Sequence, residues 1–291
     1  MKNKTIIGLL CGLGAASIWG GMYVVSKVVL EVIPPFALLT IRLVMGVLTL
    51  AVLLLLREQK EFTRRQFRDS FLVGIVGYGV SLGFQFVGTK LSTASNGSLV
   101  TSATPAFVLL FAPFLLNEKP TVRRLIALAA STLGVIAVID PRMANFSSSL
   151  SVGNLSLLAA ALTWALYSVL VRRISMNMEL LPSSAVMLLG GIPSSLLFGV
   201  FEVHQQGIGE ITIGILGGIL FLGIISTALA MFLWNYAFAQ LPAASASLTF
   251  FAQPVVGTLL GWFFLGEKIT PLFLLGGVLI TMGIEFAARD G

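Results

Sequence analysis

Residues 94–134, ASNGSLVTSATPAFVLLFAPFLLNEKPTVRRLIALAASTLG, and residues 243–283, AASASLTFFAQPVVGTLLGWFFLGEKITPLFLLGGVLITMG, are two versions of one segment. They align without a gap at an offset of 149 residues, with 14 identities in 41 positions. Apolar composition alone produces matches of Leu and Ala, but it does not readily align Pro105 with Pro254 and two Glu-Lys pairs in the same register. We interpret the pattern as an internal duplication.

Length and composition assign the chain to the membrane. Of its 291 residues, 57% are hydrophobic and only 10% are charged, whereas about 25% are charged in a soluble domain. A membrane-spanning helix needs about 20 apolar residues, so ten of them use about 200 positions and leave loops of about eight residues each. This excludes a water-soluble enzyme, a receptor with an ectodomain and a nucleic-acid-binding protein.

Ten apolar runs have the length of membrane-spanning helices and are separated by charges or by Pro and Gly turns. They cover residues 6–30, 34–56, 70–91, 94–116, 123–139, 152–171, 182–203, 211–238, 243–265 and 271–288. We therefore predict an all-α integral membrane protein with ten transmembrane helices. The duplication divides it into residues 1–145 and 146–291. Because five helices per half is an odd number, the halves form inverted repeats, the geometry of alternating access.

Basic residues are distributed unequally between the predicted loops. Thirteen Lys and Arg residues lie on the same side of the membrane as the N-terminus, and four lie on the other side. The positive-inside rule therefore predicts an inner (plasma) membrane protein with both termini in the cytoplasm. Attraction to the anionic lipid bilayer accounts for most of the formal charge of +6, so a nucleic-acid partner is not needed. Cys11 and His204 each stand alone, so we expect no metal and no cofactor.

Near the start of each half the offset is 145, which aligns Trp19 with Trp164 and Lys27 with Arg172. Further motifs recur in both halves. Ile18-Trp19-Gly20 corresponds to Thr163-Trp164-Ala165, Pro105 to Pro254, and Asn117-Glu118-Lys119 to Gly266-Glu267-Lys268. The glycine Gly134 of the first half corresponds to Gly276-Gly277 with Gly283 of the second. In these motifs the chain resembles the ten-helix EamA-type transporters of the drug/metabolite transporter superfamily, with Asn117 in place of the usual Gly. The resemblance implies a secondary carrier, often an exporter of amino acids, other metabolites or drugs.

Pro105 and Pro254 are each the twelfth residue of a 23-residue span, so both lie at the predicted bilayer midplane. Because proline has no amide hydrogen, the carbonyls of Thr101 and Phe250 are released to accept a hydrogen bond from cargo, water or a hydroxyl. We expect these positions to kink the helices and to take part in gating. The alternative is a packing kink whose carbonyls are satisfied by neighbouring groups.

Polar and aromatic side chains near these prolines form the predicted cargo site. Polar residues on one helix face should point into the bundle, and an aromatic lining suits a flat, apolar or cationic cargo. The candidates are Trp19, Tyr23, Tyr78, Gln85, Ser98, Thr101, Trp164, Tyr167, Thr249 and Gln253. For each ring, packing between helices is the alternative. Trp234 and Asn235, near the end of the eighth span, are expected to form an interfacial belt or a gate.

Arg42 is the one charge well inside a predicted span, about 12 Å below the outer edge, where an unpaired charge costs several kcal/mol. It could hold the carboxylate of an amino-acid cargo. It could also act as a structural clamp on exposed carbonyls or on Glu31, which we favour because the second half has no matching charge. Lys27 and Lys90, near the ends of their helices, are expected to extend their ammonium groups to the interface.

The sequence favours a carrier of small molecules, such as aromatic or other apolar amino acids or organic cations, over other classes. It contains no paired acids or nucleophile with a base at mid-depth, as an intramembrane enzyme needs, and no filter-like glycine loop of a channel.

Its carboxylates lie at or near span ends, which favours facilitated diffusion or exchange. A proton-coupled antiporter using Glu285 and a non-transporting protein remain alternatives. Glycines four residues apart, such as Gly257 and Gly261, permit a monomer or a homodimer.

Overall fold

The computed structural model describes residues 2–56, 62–92, 94–118, 121–139, 148–175 and 178–265, together with residues 271, 275, 278, 279 and 282. Across these residues the chain is helical and contains no strand. The helices are α1 (Lys2–Val29), α2 (Pro35–Leu55), α3 (Arg64–Leu91), α4 (Ala94–Val100, Thr101–Ala103 and Thr104–Leu116), α5 (Val122–Ile139), α6 (Ser148–Ser175), α7 (Leu180–Gln206), α8 (Ile213–Gln240) and α9 (Ala243–Leu248, Thr249–Phe251 and Ala252–Leu265).

Each of the first nine predicted spans coincides with one of these helices. Within the described ranges, seven helices are both long enough and apolar enough to cross a membrane. Most of the tenth predicted span, 271–288, lies outside the described residues. The prediction of an all-helical membrane protein is therefore confirmed, while the tenth helix and the inverted relation of the two halves stay predictions.

The distribution of polar and apolar side chains is that of a protein in lipid. Large apolar side chains such as Leu55, Phe114 and Ile213 are exposed on the outside of the bundle, whereas Arg42 and Gln253 are buried inside it. Lipid solvates apolar side chains but gives no hydrogen bonds, so polar groups are stable only where other helices supply partners.

The third helix of each half contains a wide π-helical segment, Ile75–Ser81 in α3 and Phe221–Leu229 in α8. The Thr227 hydroxyl donates to the carbonyl of Leu222, five residues earlier, and so satisfies a backbone group that the wide turn leaves available. The sequence analysis did not predict either segment. π-Helical turns are frequent at functional sites, and both of these lie beside the central side chains described below.

A 3-10 turn precedes Pro105 in α4 and Pro254 in α9, at Thr101–Ala103 and Thr249–Phe251 respectively. The Thr101 carbonyl accepts the Thr104 hydroxyl at 2.7 Å, so in this conformation a neighbouring side chain satisfies it. At the end of α4, Asn117 has φ of 57°, the left-handed conformation that a glycine usually takes at this position. Asparagine tolerates this conformation, so α4 ends normally without the glycine.

Close backbone contacts bring α1 and α9 together at the centre of the bundle. A Cβ on Gly20 would lie 2.7 Å from the Gln253 carbonyl oxygen and 2.8 Å from the Gly257 nitrogen, so only glycine fits at this crossing. Helix α1 runs antiparallel to α8, because Gly8 contacts Leu241 near one end and Val29 contacts Gly218 near the other. The contact between Gly20 and Gly257 places Trp19 and Gln253 beside one another.

Candidate functional site

A small cavity lies between the two halves, enclosed by residues of α1, α3, α4, α6, α8 and α9. It is lined by Trp19, Met22, Leu82, Gln85, Thr101, Thr104, Ala160, Ala161, Trp164, Met231, Phe250 and Gln253. Its volume of about 20 Å³ is close to the space needed for one water molecule. Pockets for small organic ligands are larger, about 300 Å³ or more, so binding an organic cargo requires this cavity to expand.

Aromatic side chains from three helices form part of the cavity wall, and Trp234 of a fourth helix packs against them. Trp19 of α1 packs edge-on against Trp164 of α6, with ring centroids 5.5 Å apart. It also contacts Trp234 at 5.3 Å and Phe250 at 5.9 Å. Stacked and edge-on rings of this kind fix one another and leave flat apolar surfaces. The cavity wall can therefore hold an apolar or aromatic group.

Hydrogen bonds from Gln253 cross from α9 to α4 at one side of the cavity. Its side-chain nitrogen donates to the Ser98 carbonyl at 3.1 Å and to the Thr101 hydroxyl oxygen at 2.9 Å. The Thr101 hydroxyl donates to the Gly97 carbonyl. The Tyr23 hydroxyl oxygen lies 2.9 Å from the Thr101 hydroxyl oxygen. Because these groups occupy one another, a cargo that binds Gln253 must replace part of the network.

A second polar network lies behind Trp164. The Tyr167 hydroxyl contacts the Tyr78 hydroxyl and donates to the Asn235 side-chain oxygen at 2.7 Å. The Asn235 amide nitrogen in turn donates to the Ser184 hydroxyl at 3.0 Å. The network therefore joins α3, α6, α7 and α8 through side chains that are buried in the core.

The structure gathers most of the predicted cargo residues at the centre. Trp19, Gln85, Thr101, Trp164 and Gln253 line the cavity. Tyr23 and Ser98 bond to lining residues, and Tyr78 and Tyr167 form the second network. Thr249 lies elsewhere, with its hydroxyl donating to the Ala246 carbonyl and its side chain against Gly12.

The prediction that Trp234 and Asn235 form an interfacial belt is wrong, while the alternative of a gate stays a prediction. Both side chains are fully buried at the centre, where the Trp234 ring also packs against Phe250 and its nitrogen donates to Ser168. Helical side chains lean towards the N-terminus of their own helix, which for α8 moves the ring away from the nearby helix end. Seven lining residues were missed, namely Thr104 and the apolar residues Met22, Leu82, Ala160, Ala161, Met231 and Phe250. Apolar residues in a span carry no signal that distinguishes lining from packing.

Arg42 is completely buried and holds the π-helical segment of α8. Its Nε donates to the Thr227 hydroxyl at 2.8 Å and its Nη2 donates to the Ser226 hydroxyl at 3.3 Å. Its Nη1 reaches the Met22 sulfur at 3.5 Å, and the guanidinium carbon lies 4.9 Å from the centre of the Phe86 ring. Among the residues that the structure describes, no carboxylate pairs with it, so the predicted contact with Glu31 is wrong.

Lys27 lies at one end of the bundle and bonds a neighbouring helix. Its ammonium group donates to the carbonyls of Thr89, Lys90 and Ser92, where α3 ends. The prediction that Lys27 extends to the interface did not include these bonds, which hold the ammonium group at the end of the neighbouring helix, where the helix dipole attracts a cation. We call Lys27 and these three residues the Lys27 cluster.

Arg172 makes the corresponding contacts at the opposite end. Its Nη1 donates to the carbonyls of Phe238 and Ala239, where α8 ends. Its Nε donates to the Glu118 carboxylate at 3.2 Å, and the other oxygen of Glu118 accepts the Ala243 amide at the start of α9. Glu118 therefore caps the start of α9. We call these five residues the Arg172 cluster.

Comparisons with known proteins agree with this architecture. The sequence profile of the EamA-like transporter family matches the chain twice, over residues 6–139 and 151–288. The uncharacterized transporter YoaV of Bacillus subtilis (strain 168) is 27% identical over 283 residues, covering 97% of this chain and 95% of its own length. An uncharacterized transporter of Archaeoglobus fulgidus is 28% identical over 289 residues and 99% of each chain. One crystal structure shares the fold at 20% sequence identity, with a TM-score of 0.79 over 97% of this chain and 98% of that one.

Proposed function

Because the chain belongs to the EamA-like transporter family, we propose that it is a secondary carrier that exports small organic metabolites by alternating access. The names of its relatives indicate a transporter rather than an enzyme. The two separate matches of one family profile support the division at residues 145 and 146 into two related halves. Inverted halves of this kind provide one opening to each side of the membrane.

The observation that carries the proposal is a central cavity with similar contacts at the two ends of the bundle, the Lys27 cluster at one end and the Arg172 cluster at the other. Lys27 and Arg172 are aligned by the offset of 145, while Thr89 and Lys90 are aligned with Phe238 and Ala239 by the offset of 149. Each basic residue thus bonds the last carbonyls of the third helix in one half, at opposite ends of the bundle. Corresponding residues therefore make similar contacts at the two ends of the bundle.

We propose that these clusters act as the two gates of the carrier. Opening the Lys27 cluster alone would expose the cavity to one side, and opening the Arg172 cluster alone would expose it to the other. The distribution of basic residues supports a position of the Arg172 cluster at the cytoplasmic face of the plasma membrane, with both termini. With both clusters formed and a cavity of about 20 Å³, the protein is closed to cargo on both sides.

The cavity wall favours aromatic or other apolar amino acids, or organic cations, as cargo. Trp19, Trp164 and Phe250 supply flat apolar surfaces, and Gln253 and Thr101 supply polar groups beside them. Transport by facilitated diffusion or exchange is favoured, because none of the acidic side chains in the described part of the chain lines the cavity. Glu285, the candidate for proton coupling, lies outside the described residues.

Uptake into proteoliposomes tests this function. The purified full-length chain is reconstituted, and the uptake of labelled aromatic and aliphatic amino acids, nucleobases and organic cations is measured with and without a pH gradient. Saturable flux of one class without dependence on the gradient is the expected result. Accumulation that requires the gradient would replace exchange by proton coupling, and the absence of saturable flux for every solute would contradict the carrier function.

A further inference from the structure

We infer that the cargo carries a carboxylate, and that this carboxylate takes the place of the Met22 sulfur between Arg42 and Gln85. The inference rests on the proposed carrier function and narrows its cargo to apolar or aromatic acids. Three observations support it: the missing counter-ion of Arg42, two donors that meet on one sulfur, and an unpaired indole nitrogen in the same cavity.

Arg42 is a buried cation whose neighbours neutralise none of its charge. Its described partners are two hydroxyls, a thioether and an aromatic ring. A guanidinium has five N–H donors in a planar fork, of which these contacts use three. A buried charge without a counter-ion costs several kcal/mol, and the cost falls when an anion binds. The Ser226 and Thr227 hydroxyls fix the guanidinium beside the cavity while leaving donors available.

Met22 occupies the position where an anion would satisfy these donors. Its sulfur accepts from Arg42 Nη1 at 3.5 Å and from the Gln85 side-chain nitrogen at 3.8 Å. A thioether is a weak acceptor, so both donors are poorly satisfied. Both Met22 and Gln85 line the cavity, and methionine changes rotamer easily because its side chain is unbranched. A carboxylate oxygen entering from the cavity would displace the sulfur and accept both hydrogen bonds.

Trp164 adds a third donor to the same cavity. Its indole nitrogen is buried and has no hydrogen-bond partner among the residues described, while its ring lines the cavity. A buried N–H without an acceptor destabilises the protein. A ligand with several acceptor oxygens removes this cost. The second oxygen of a carboxylate, or another acceptor on the same cargo, can take this position.

The same donors disfavour a cationic cargo. Arg42 carries a positive charge against Met22 of the cavity wall, and like charges in a medium of low dielectric constant repel strongly. The rings of Trp19, Trp164 and Phe250 would attract a cation, but none of the residues lining the cavity is acidic and could neutralise it. The excess of hydrogen-bond donors therefore favours an acid as cargo, with its carboxylate at the donors and its apolar group against the rings.

Matched ligands test the inference on the unaltered chain. Binding of L-phenylalanine and L-leucine, of their primary amides and of 2-phenylethylamine is measured on the purified full-length chain, using tryptophan fluorescence and thermal stability. We expect each acid to bind at least tenfold more tightly than its amide. Amides or the amine that bind as tightly as the acids would overturn the inference while leaving the carrier function standing. Failure of every probe to bind would overturn the inference together with the proposed amino-acid cargo.

Variants then identify the residues that produce the preference for the acid over the amide. Arg42→Gln, which keeps hydrogen bonding without the charge, should weaken acid binding at least tenfold and leave amide binding within twofold. Met22→Leu, which removes the competing acceptor at similar volume, should keep or strengthen the preference for the acid. Thr49→Ala is the control on the same helix, because the Thr49 hydroxyl bonds only the Met45 carbonyl. Equal losses for acid and amide in Arg42→Gln would assign Arg42 a purely structural role.

Discussion

Arg172 and Glu118 form a salt bridge of 3.2 Å between α6 and the end of α4. The same guanidinium holds the last carbonyls of α8, and the same carboxylate caps the start of α9. One ion pair therefore connects four helices at one end of the bundle. In the proposed gating these contacts separate when the cavity opens at this end, which makes the pair the most direct target for changing the balance between conformations.

Replacing Arg172 with Gln should favour opening at its end of the bundle. The ion pair is partly exposed and contributes about 1 kcal/mol, so we expect the ratio of open to closed molecules to rise about fivefold. The measurement is labelling of Ala161→Cys, a small residue of the cavity wall, by a membrane-impermeant maleimide in a Cys11→Ser background. Unchanged labelling from both sides of the membrane would show that the Arg172 cluster is not a gate.

Lys27→Met should produce the opposite bias. It removes the ammonium group that binds three carbonyls at the end of α3 but keeps an unbranched apolar stem. Labelling of the same Ala161→Cys reporter is therefore expected to increase from the side where the Lys27 cluster lies. Combining Lys27→Met with Arg172→Gln should return the ratio between the two sides towards that of the parent. If both single changes increased labelling from one side only, the two clusters would not be opposing gates.

Gln253→Ala should reduce saturable flux at least tenfold while folded yield stays within about twofold. The change removes two hydrogen bonds from α9 to α4, each contributing about 1 kcal/mol, but leaves the contact between Tyr23 and Thr101. Ser247→Ala is the control on α9, since the Ser247 hydroxyl bonds the Ala244 carbonyl of its own helix. Yield is measured by size-exclusion chromatography and flux by uptake. Loss of yield with normal flux per folded molecule would count against a cargo role.

Gly20→Ala should destabilise the fold. Its Cβ would lie within 3 Å of backbone atoms of Gln253 and Gly257, so α1 and α9 would have to move apart at the cavity, which costs about 1–3 kcal/mol. Gly217→Ala is the matched control, because a Cβ there has no atom within 4 Å. Thermal unfolding in detergent distinguishes the two. A midpoint for Gly20→Ala equal to that of Gly217→Ala would contradict the close crossing.

The sequence predicted the spans and the central residues well, for identifiable reasons. Long apolar runs in lipid have few alternatives to helix, and Trp19, Trp164 and Gln253 interrupt them with chemically distinctive side chains. The π-helical segments were missed because no residue type specifies them. The environment of Arg42 was assigned to the wrong partner, since Ser226 and Thr227 lie 184 and 185 residues away along the chain. Long-range contacts of this kind are set by helix packing, which local patterns do not record.

Local patterns likewise do not record the contacts of Lys27 and Arg172, the two basic residues at the ends of the bundle. The sequence aligned Lys27 with Arg172, but position near a helix end suggested only contact with the interface. Whether such a side chain points outwards or across to a neighbour depends on which helix end lies beside it. For both residues the neighbour is the end of a helix two or more elements away, α3 for Lys27 and α8 for Arg172.

Counterflow in proteoliposomes tests the central claim most directly. Vesicles containing the full-length chain are loaded with unlabelled cargo at high concentration, and labelled cargo is added outside in trace amount. A carrier with one cavity and two alternating gates predicts that internal cargo accelerates entry of the label, giving a transient accumulation above the equilibrium level. Entry that rises only to equilibrium, at a rate independent of internal cargo, would contradict alternating access and indicate a channel.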